Sequence, residues 1–322
     1  MQYTANSYAA MLLCLALSPN KEEFARPLST SEYRDICQRA KQSAVLNIGG
    51  LMNVDISGLM QLLSVSEEQA YRIFVLMNRS VQLSYAMEAF AARGIFIVTE
   101  YEAEYPERLR KRAGVDAPPV FYLYGDAATL NLPSIGILGI SGIKTSSEVR
   151  SSIEAIAAFA KKGGYRIMAG GELGVSRVME GFLCDGDSDL TCVLAGGMSD
   201  YIKRPEAQGL FAENRLSAIS LEHPDSLFTV PHALARNRML MSLAEAVFIF
   251  NTDGKRGETD ALRNHRSDWI YAWNGYPGNH SLLNKGAIGF GLLTESSLQD
   301  MTRLWRYSRS EQLSLFDLMP EE

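Results

Sequence analysis

Residues 134–140 read Ser-Ile-Gly-Ile-Leu-Gly-Ile, a short apolar run without a charge, and residues 146–163 (SSEVRSSIEAIAAFAKKG) then switch to helical spacing. A run that is apolar on both faces belongs in a sheet covered on both sides, and the helix behind it supplies one of the covers. The unit recurs. YRIMAG (165–170), LTCVLAGG (190–197), LSAISLE (216–222), AVFIFN (246–251) and DWIYAWN (268–274) read as further buried strands, most of them separated by helical stretches. Alternation of this kind predicts an α/β fold with a doubly wound, mostly parallel sheet of Rossmann type.

Upstream, Pro118-Pro119 in DAPPVFYLYGD (116–126) marks a change of texture, and residues 1 to about 115 read as helical. SGLMQLLSVSEEQAYRIFVLM (57–77) holds two short helices broken at Ser64-Val65-Ser66, with Ser66 and the acids Glu67 and Glu68 as a helix start. The expected organisation is a helical N-terminal module (1–104), the Rossmann-like domain (105–292), and a helix with a flexible tail (293–322).

The chain has 322 residues, 47% apolar and 21% charged, with a net charge of −6. That suits a chain with a sizeable core and argues against a basic coat, so a nucleic-acid partner would have to meet a local basic groove. No stretch nears the roughly 20 apolar residues of a membrane helix, and no basic region precedes Met11–Leu17 as in a signal peptide. A cytoplasmic protein is expected, with Cys14, Cys37, Cys184 and Cys192 as reduced thiols.

In doubly wound sheets ligands bind beyond the carboxyl ends of the strands. The first strand ends in GISGIKTSSE (139–148), the second in AGGELGVS (169–176) and the third in AGGMSD (195–200). Glycine lets the backbone approach a ligand, and the following helix start offers unpaired N–H groups and a partial positive charge. Candidate phosphate contacts are therefore Gly139, Ser141, Gly142, Lys144, Thr145, Gly170, Gly171 and Gly174. Arg236, Asn237 and Arg238 read as opening a helix, where two cations would need an anion to offset them. Lys255, Arg256 and Gly257 follow the fifth strand, and Lys285 lies further on. No nucleophile–base–orienter set, metal-ligand spacing or cofactor fingerprint stands out, so no catalytic residue, metal or cofactor is assigned.

In this order YPERLRKRAGVDAPPVFYLYGD (105–126), the glycine turns, ARNRMLMSLAEAVFIFN (235–251) and SLLNKGA (281–287) resemble the DNA-processing protein A (DprA/Smf) family. The resemblance implies single-stranded DNA in the groove formed by these turns and a RecA-type recombinase as partner; an assembly of identical chains is also expected. It also marks departures. Ser141 stands where the family has arginine, Leu173, Ser176 and Glu180 replace its arginine, aspartate and histidine, and Asn251 replaces an acid. The same scaffold serves nucleotide-sensing and nucleotide-cleaving enzymes, which is the alternative reading. A non-catalytic interaction protein with a degenerate pocket is a second alternative.

The sequence closes with SEQLSLFDLMPEE. Gln312, Leu313, Ser314, Leu315 and Phe316 resemble the peptide with which bacterial replication and repair proteins dock into the DNA polymerase sliding clamp. Burying Leu313, Leu315 and Phe316 would contribute roughly 1.5–3 kcal/mol each before ordering costs. The combined expectation is a DNA-metabolism protein of recombination, DNA uptake or repair that is tethered to the clamp.

Overall fold

The computed structural model describes residues 2–19, 25–139, 146–171, 188–252, 262, 269–303 and 305. Five helices come first: α1 (Ala5–Cys14), α2 (Thr30–Gln42), α3 (Ile56–Leu63), α4 (Glu67–Met77) and α5 (Ser80–Ala91). Their starts are set by side chains that satisfy the orphan N–H groups of a first turn. Thr4, Ser29 and Ser66 each cap a helix in a reciprocal box with Ser7, Glu32 and Gln69. Ser64 ends α3 in the left-handed region at φ 51°, which places the break between α3 and α4 where the sequence puts it.

The stretch read as helical up to residue 115 also contains a strand, β1 (Ile95–Thr99). Ile-Phe-Ile-Val-Thr is rich in β-branched residues, and it forms the outer strand of the main sheet. Next come α6 (Glu107–Ala113), β2 (Val120–Tyr124), β3 (Ser134–Gly139), α7 (Ser147–Gly163), β4 (Arg166–Ala169) and β5 (Leu190–Leu194). They are followed by α8 (Pro205–Ala212), β6 (Leu216–Ser220), α9 (Val230–Leu243), β7 (Ala246–Asn251), β8 (Ile270–Trp273), α10 (His280–Leu283) and β9 (Ile288–Phe290). Residues 295–303 are helical.

The nine strands among the described residues form one sheet in the order β1-β2-β6-β5-β4-β3-β7-β8-β9. From β6 to β9 all pairings are parallel, while β1–β2 and β2–β6 are antiparallel. The expected Rossmann-like sheet with an N-terminal helical module is thus present. The chain steps outward from β3 through β4, β5 and β6, then returns through α9 to place β7 on the other side of β3. That reversal is the topological switch point of a doubly wound sheet.

Each face of the sheet has its own core. On one side Leu138, Met168, Val193, Ile219 and Val247 pack against Met239 and Leu240 of α9 and Leu109 of α6. On the other, Ile137, Ile167, Cys192 and Phe248 meet Ile153 and Ile156 of α7, and the same core runs on into α1–α5. The helical module is also tied down by charge. Arg34 pairs with Glu100 at 2.6 Å, and Arg93 reaches Asp225 at 2.8 Å. Of the cysteines, Cys14, Cys37 and Cys192 carry thiols outside any disulfide, and burial pushes Cys37 up to about 11. Cys184 lies outside the described residues.

Candidate nucleic-acid interface

At the switch point β3 and β7 end side by side. Gly139, the last residue of β3, is in register with Asn251, the last of β7, after a β-bulge between Leu138 and Gly139. The end of β7 is joined to that of β8 by Asn279, a residue the sequence reading passed over. Its side-chain amide donates to the carbonyls of Phe250 (3.1 Å) and Trp273 (2.9 Å) from a fully buried position. Nothing local in the sequence distinguishes it, because both partners are remote carbonyls.

The second turn follows β4. A Cβ on Gly170 would overlap the guanidinium of Arg236, and one on Gly171 would strike Leu194 and Tyr201. The absent side chain at 170 is therefore what lets a cation sit directly beneath the turn. In the third turn a Cβ on Gly197 would overlap the Pro224 carbonyl. Gly197 N–H donates to the Ser226 carbonyl (2.8 Å) and Ser199 N–H to that of Pro224 (2.9 Å). The loop after β6 is thus laid flat on the loop after β5. Ser199 and Arg93 complete this junction by donating to Asp225 at 2.5 and 2.8 Å. Burial pushes the Asp225 carboxyl up, but those two hydrogen bonds together with the nearby Arg93 and His223 charges outweigh it and hold the group below its ordinary range. From this pinned loop Leu227, Phe228 and Val230 project outward, 84%, 56% and 62% exposed among the described residues.

The Arg-Asn-Arg triplet is placed differently from its reading as a helix opening. Helix α9 begins at Val230, capped by Thr229 with a proline in its first turn, so Arg236, Asn237 and Arg238 lie in its middle. The argument from cations at a positive helix end does not apply to them. Arg236 and Asn237 are buried at 6% and 5% exposure. Arg236 shares the sheet-facing stripe with Leu240, which is packed over Gly136 of β3. Arg238, two residues further round the helix, faces the groove between α9 and α6 instead. The structure therefore separates the two arginines. Lys285 is also apart, exposed in the turn that feeds β9 and hence at the amino-terminal end of the strands.

Among the predicted contacts, Gly139, Gly170, Gly171 and Arg236 are gathered at or under the carboxyl ends of the strands. Ser141, Gly142, Lys144, Thr145, Gly174, Lys255, Arg256 and Gly257 lie outside the described residues, as do Gln312, Leu313, Ser314, Leu315 and Phe316. Among the described residues no group of three His, Cys, Asp or Glu side chains converges as a metal site. No described helix is long and apolar enough to cross a membrane.

A family model described as DNA recombination-mediator protein A matches residues 96–287. No curated protein matches this chain. Among solved structures, DNA processing protein A (DprA) from Streptococcus pneumoniae is similar with a TM-score of 0.65 at 15% identity, covering 93% of this chain and 98% of that one. DNA processing protein A from Helicobacter pylori, described for its single-stranded DNA binding mode, is similar with a TM-score of 0.50 at 20% identity, covering 65% and 95%. At these identities the likeness is one of fold.

Proposed function

This chain belongs to the DNA recombination-mediator protein A family, and from that premise we propose that it binds single-stranded DNA along the carboxyl ends of its parallel strands. The observation that carries the reading is the family match over residues 96–287, which takes in β2 through β8 and every turn at that edge. In this reading Gly139, Ser141, Gly142, Lys144 and Thr145 after β3, Gly170, Gly171 and Gly174 after β4, and Lys255, Arg256 and Gly257 after β7 approach the phosphates. Arg236 acts from beneath Gly170 as a buried positive charge. Phe228 offers the bases an aromatic face, and stacking of that kind tolerates any sequence. Arg238 and Lys285, facing elsewhere, take no part.

The tail residues Gln312, Leu313, Ser314, Leu315 and Phe316 tether the protein to the DNA polymerase sliding clamp. Tethering raises the local concentration of a weak DNA site, which suits a chain with a net charge of −6. A RecA-type recombinase and further copies of this chain complete the proposed partners, in recombination, DNA uptake or repair within the cytoplasm.

An oligo(dT) titration at several salt concentrations tests the site. Affinity should fall with salt at a slope of about −0.7 per neutralised phosphate, and Lys144→Ala should reduce that slope by about one such step. Binding that ignores salt, or a slope unchanged in Lys144→Ala and Arg256→Ala alike, would remove the strand ends as the site. Clamp capture should be lost in Leu315→Ala/Phe316→Ala, and its survival would end the tether reading.

A further inference from the structure

The groove between α6 and α9 closes into a cleft of about 140 Å³ whose walls include Leu109, Pro118, Leu221 and Met239. Two charged side chains line it, Arg238 from α9 and Asp116 from the turn after α6. They do not pair with each other. Among the described arginines, Arg238 alone makes no ion pair, hydrogen bond or ring contact with its side chain, and its Nε is buried without a hydrogen-bond partner. A guanidinium cannot shed its charge, and a half-buried one without a partner marks a site where an acceptor is missing.

A ligand that satisfies both charges must present acceptors at one edge and donors at the other. Guanine does this: its O6 and N7 accept a bidentate arginine, and its 2-amino group donates from the opposite edge. The flat ring would lie between the apolar walls. The volume is below the roughly 300–1,000 Å³ of sites for drug-sized ligands, which suits one base with its sugar left outside. A simple carboxylate would satisfy Arg238 but be repelled by Asp116. Adenine would turn its 6-amino donor towards Arg238 where an acceptor is wanted.

We propose that this cleft is a guanine slot, with Arg238 on the O6/N7 edge and Asp116 on the amino edge. The base can come from a bound single strand or from a free nucleotide. None of the strand-end contacts proposed above lines this cleft, whose Leu221 wall sits just past the end of β6.

The test uses the full chain titrated with GMP, IMP and AMP, and with oligo(dT) carrying or lacking one central dG. GMP should bind at least about tenfold more tightly than AMP, and than IMP, which lacks the 2-amino group. Arg238→Lys keeps the charge but loses the fork and should weaken GMP about tenfold. Asp116→Asn should weaken GMP while leaving IMP unchanged, a pattern that misfolding cannot produce. A gain from the single dG that disappears in Arg238→Lys assigns the base to the strand; GMP binding with no effect of dG assigns it to a free nucleotide. Equal binding of GMP and AMP overturns the slot, as does GMP binding unchanged in Arg238→Lys. Oligo(dT) binding with the expected salt slope, but no response to GMP or dG, would overturn the slot and leave the strand-end reading intact.

Discussion

Arg166 and Arg238 are both arginines sunk into the Rossmann-like domain, and they are used in opposite ways. Arg166, at the start of β4, is 2% exposed. Its Nε donates to the Thr191 hydroxyl at 2.7 Å, its Nη2 to the Leu190 carbonyl at 2.7 Å, and Asp189 lies 3.6 Å from Nη1. Nη2 also reaches the Arg215 carbonyl and the Ser217 hydroxyl at 3.3 Å, so the guanidinium joins β4 to β5 and to the start of β6. Arg238, on α9, joins nothing among the described residues. One cation is structure and the other is capacity held in reserve, although the two are chemically the same side chain.

Arg166→Met should show the largest effect. It strands a buried carbonyl and a hydroxyl and leaves Asp189 without its partner, a loss of about 3 kcal/mol in a urea melt. A cost under about 1 kcal/mol would mean that the strands hold without this bridge, and the contrast with Arg238 would fail.

The glycines sharpen the same distinction. At Gly197 a new Cβ meets the Pro224 carbonyl, which belongs to a loop hydrogen-bonded on both sides. At Gly170 the atoms it meets first are those of the Arg236 guanidinium. Gly197→Ala should therefore cost about 2 kcal/mol, and Gly170→Ala under about 1 kcal/mol, because a flexible side chain can swing aside and a pinned carbonyl cannot. The second variant moves Arg236 from under the turn, so its effect should be read in oligo(dT) affinity instead of thermal stability. Equal stability losses at the two positions would mean that Arg236 is as fixed as backbone.

What could be read from the sequence follows the same line between local and remote causes. The strands from 134 to 274 were legible because a run that is apolar on both faces declares itself without reference to its neighbours. The cap at Ser66 was legible too, since its partners are the next three residues. Strand β1 was missed within a stretch dominated by helices, and three-residue β9 is too short to show a period. The start of α9 was misread because Arg-Asn-Arg drew attention from the true signal, Thr229 with Pro231 just inside the helix. The glycine turns were found, yet what each glycine accommodates was not, for Arg236 lies 66 residues beyond Gly170 and Pro224 lies 27 beyond Gly197. No periodicity reports a contact of that range, and the opposite directions of Arg236 and Arg238 became visible only once α9 had a phase.

Between the two arginines stands a paired charge that is partly in water. Glu32 caps α2 and accepts from Arg72 at 2.7 Å, and this hydrogen bond is the chief reason its carboxyl is held down to about 2. A depressed folded-state value means that the stabilisation is full above the unfolded carboxylate range near 4.3 and is lost as the pH falls from there towards 2. With the side chain 33% exposed, solvent screening leaves roughly 0.5–1 kcal/mol. Glu32→Gln should be less stable than the parent by that amount at pH 7 and indistinguishable from it near pH 2. A gap that persists at pH 2 would assign the effect to the cap geometry and not to the charge.

The smallest change is expected where the contrast began. Arg238→Met removes a cation that has no partner and replaces it with an unbranched apolar side chain beside Met239 and Leu109, whose walls it can extend. Nothing is left unsatisfied by its removal, since no described donor or acceptor depends on it, and the desolvation cost of a half-buried charge is relieved. The unfolding free energy should stay within about 0.5 kcal/mol of the parent or rise slightly, the reverse of Arg166→Met. A chain that tolerates, or gains from, the loss of a half-buried charge holds that charge for something other than folding. If Arg238→Met instead proved as costly as Arg166→Met, Arg238 would be a fold-holding residue, and the division between spent and reserved cations would be wrong.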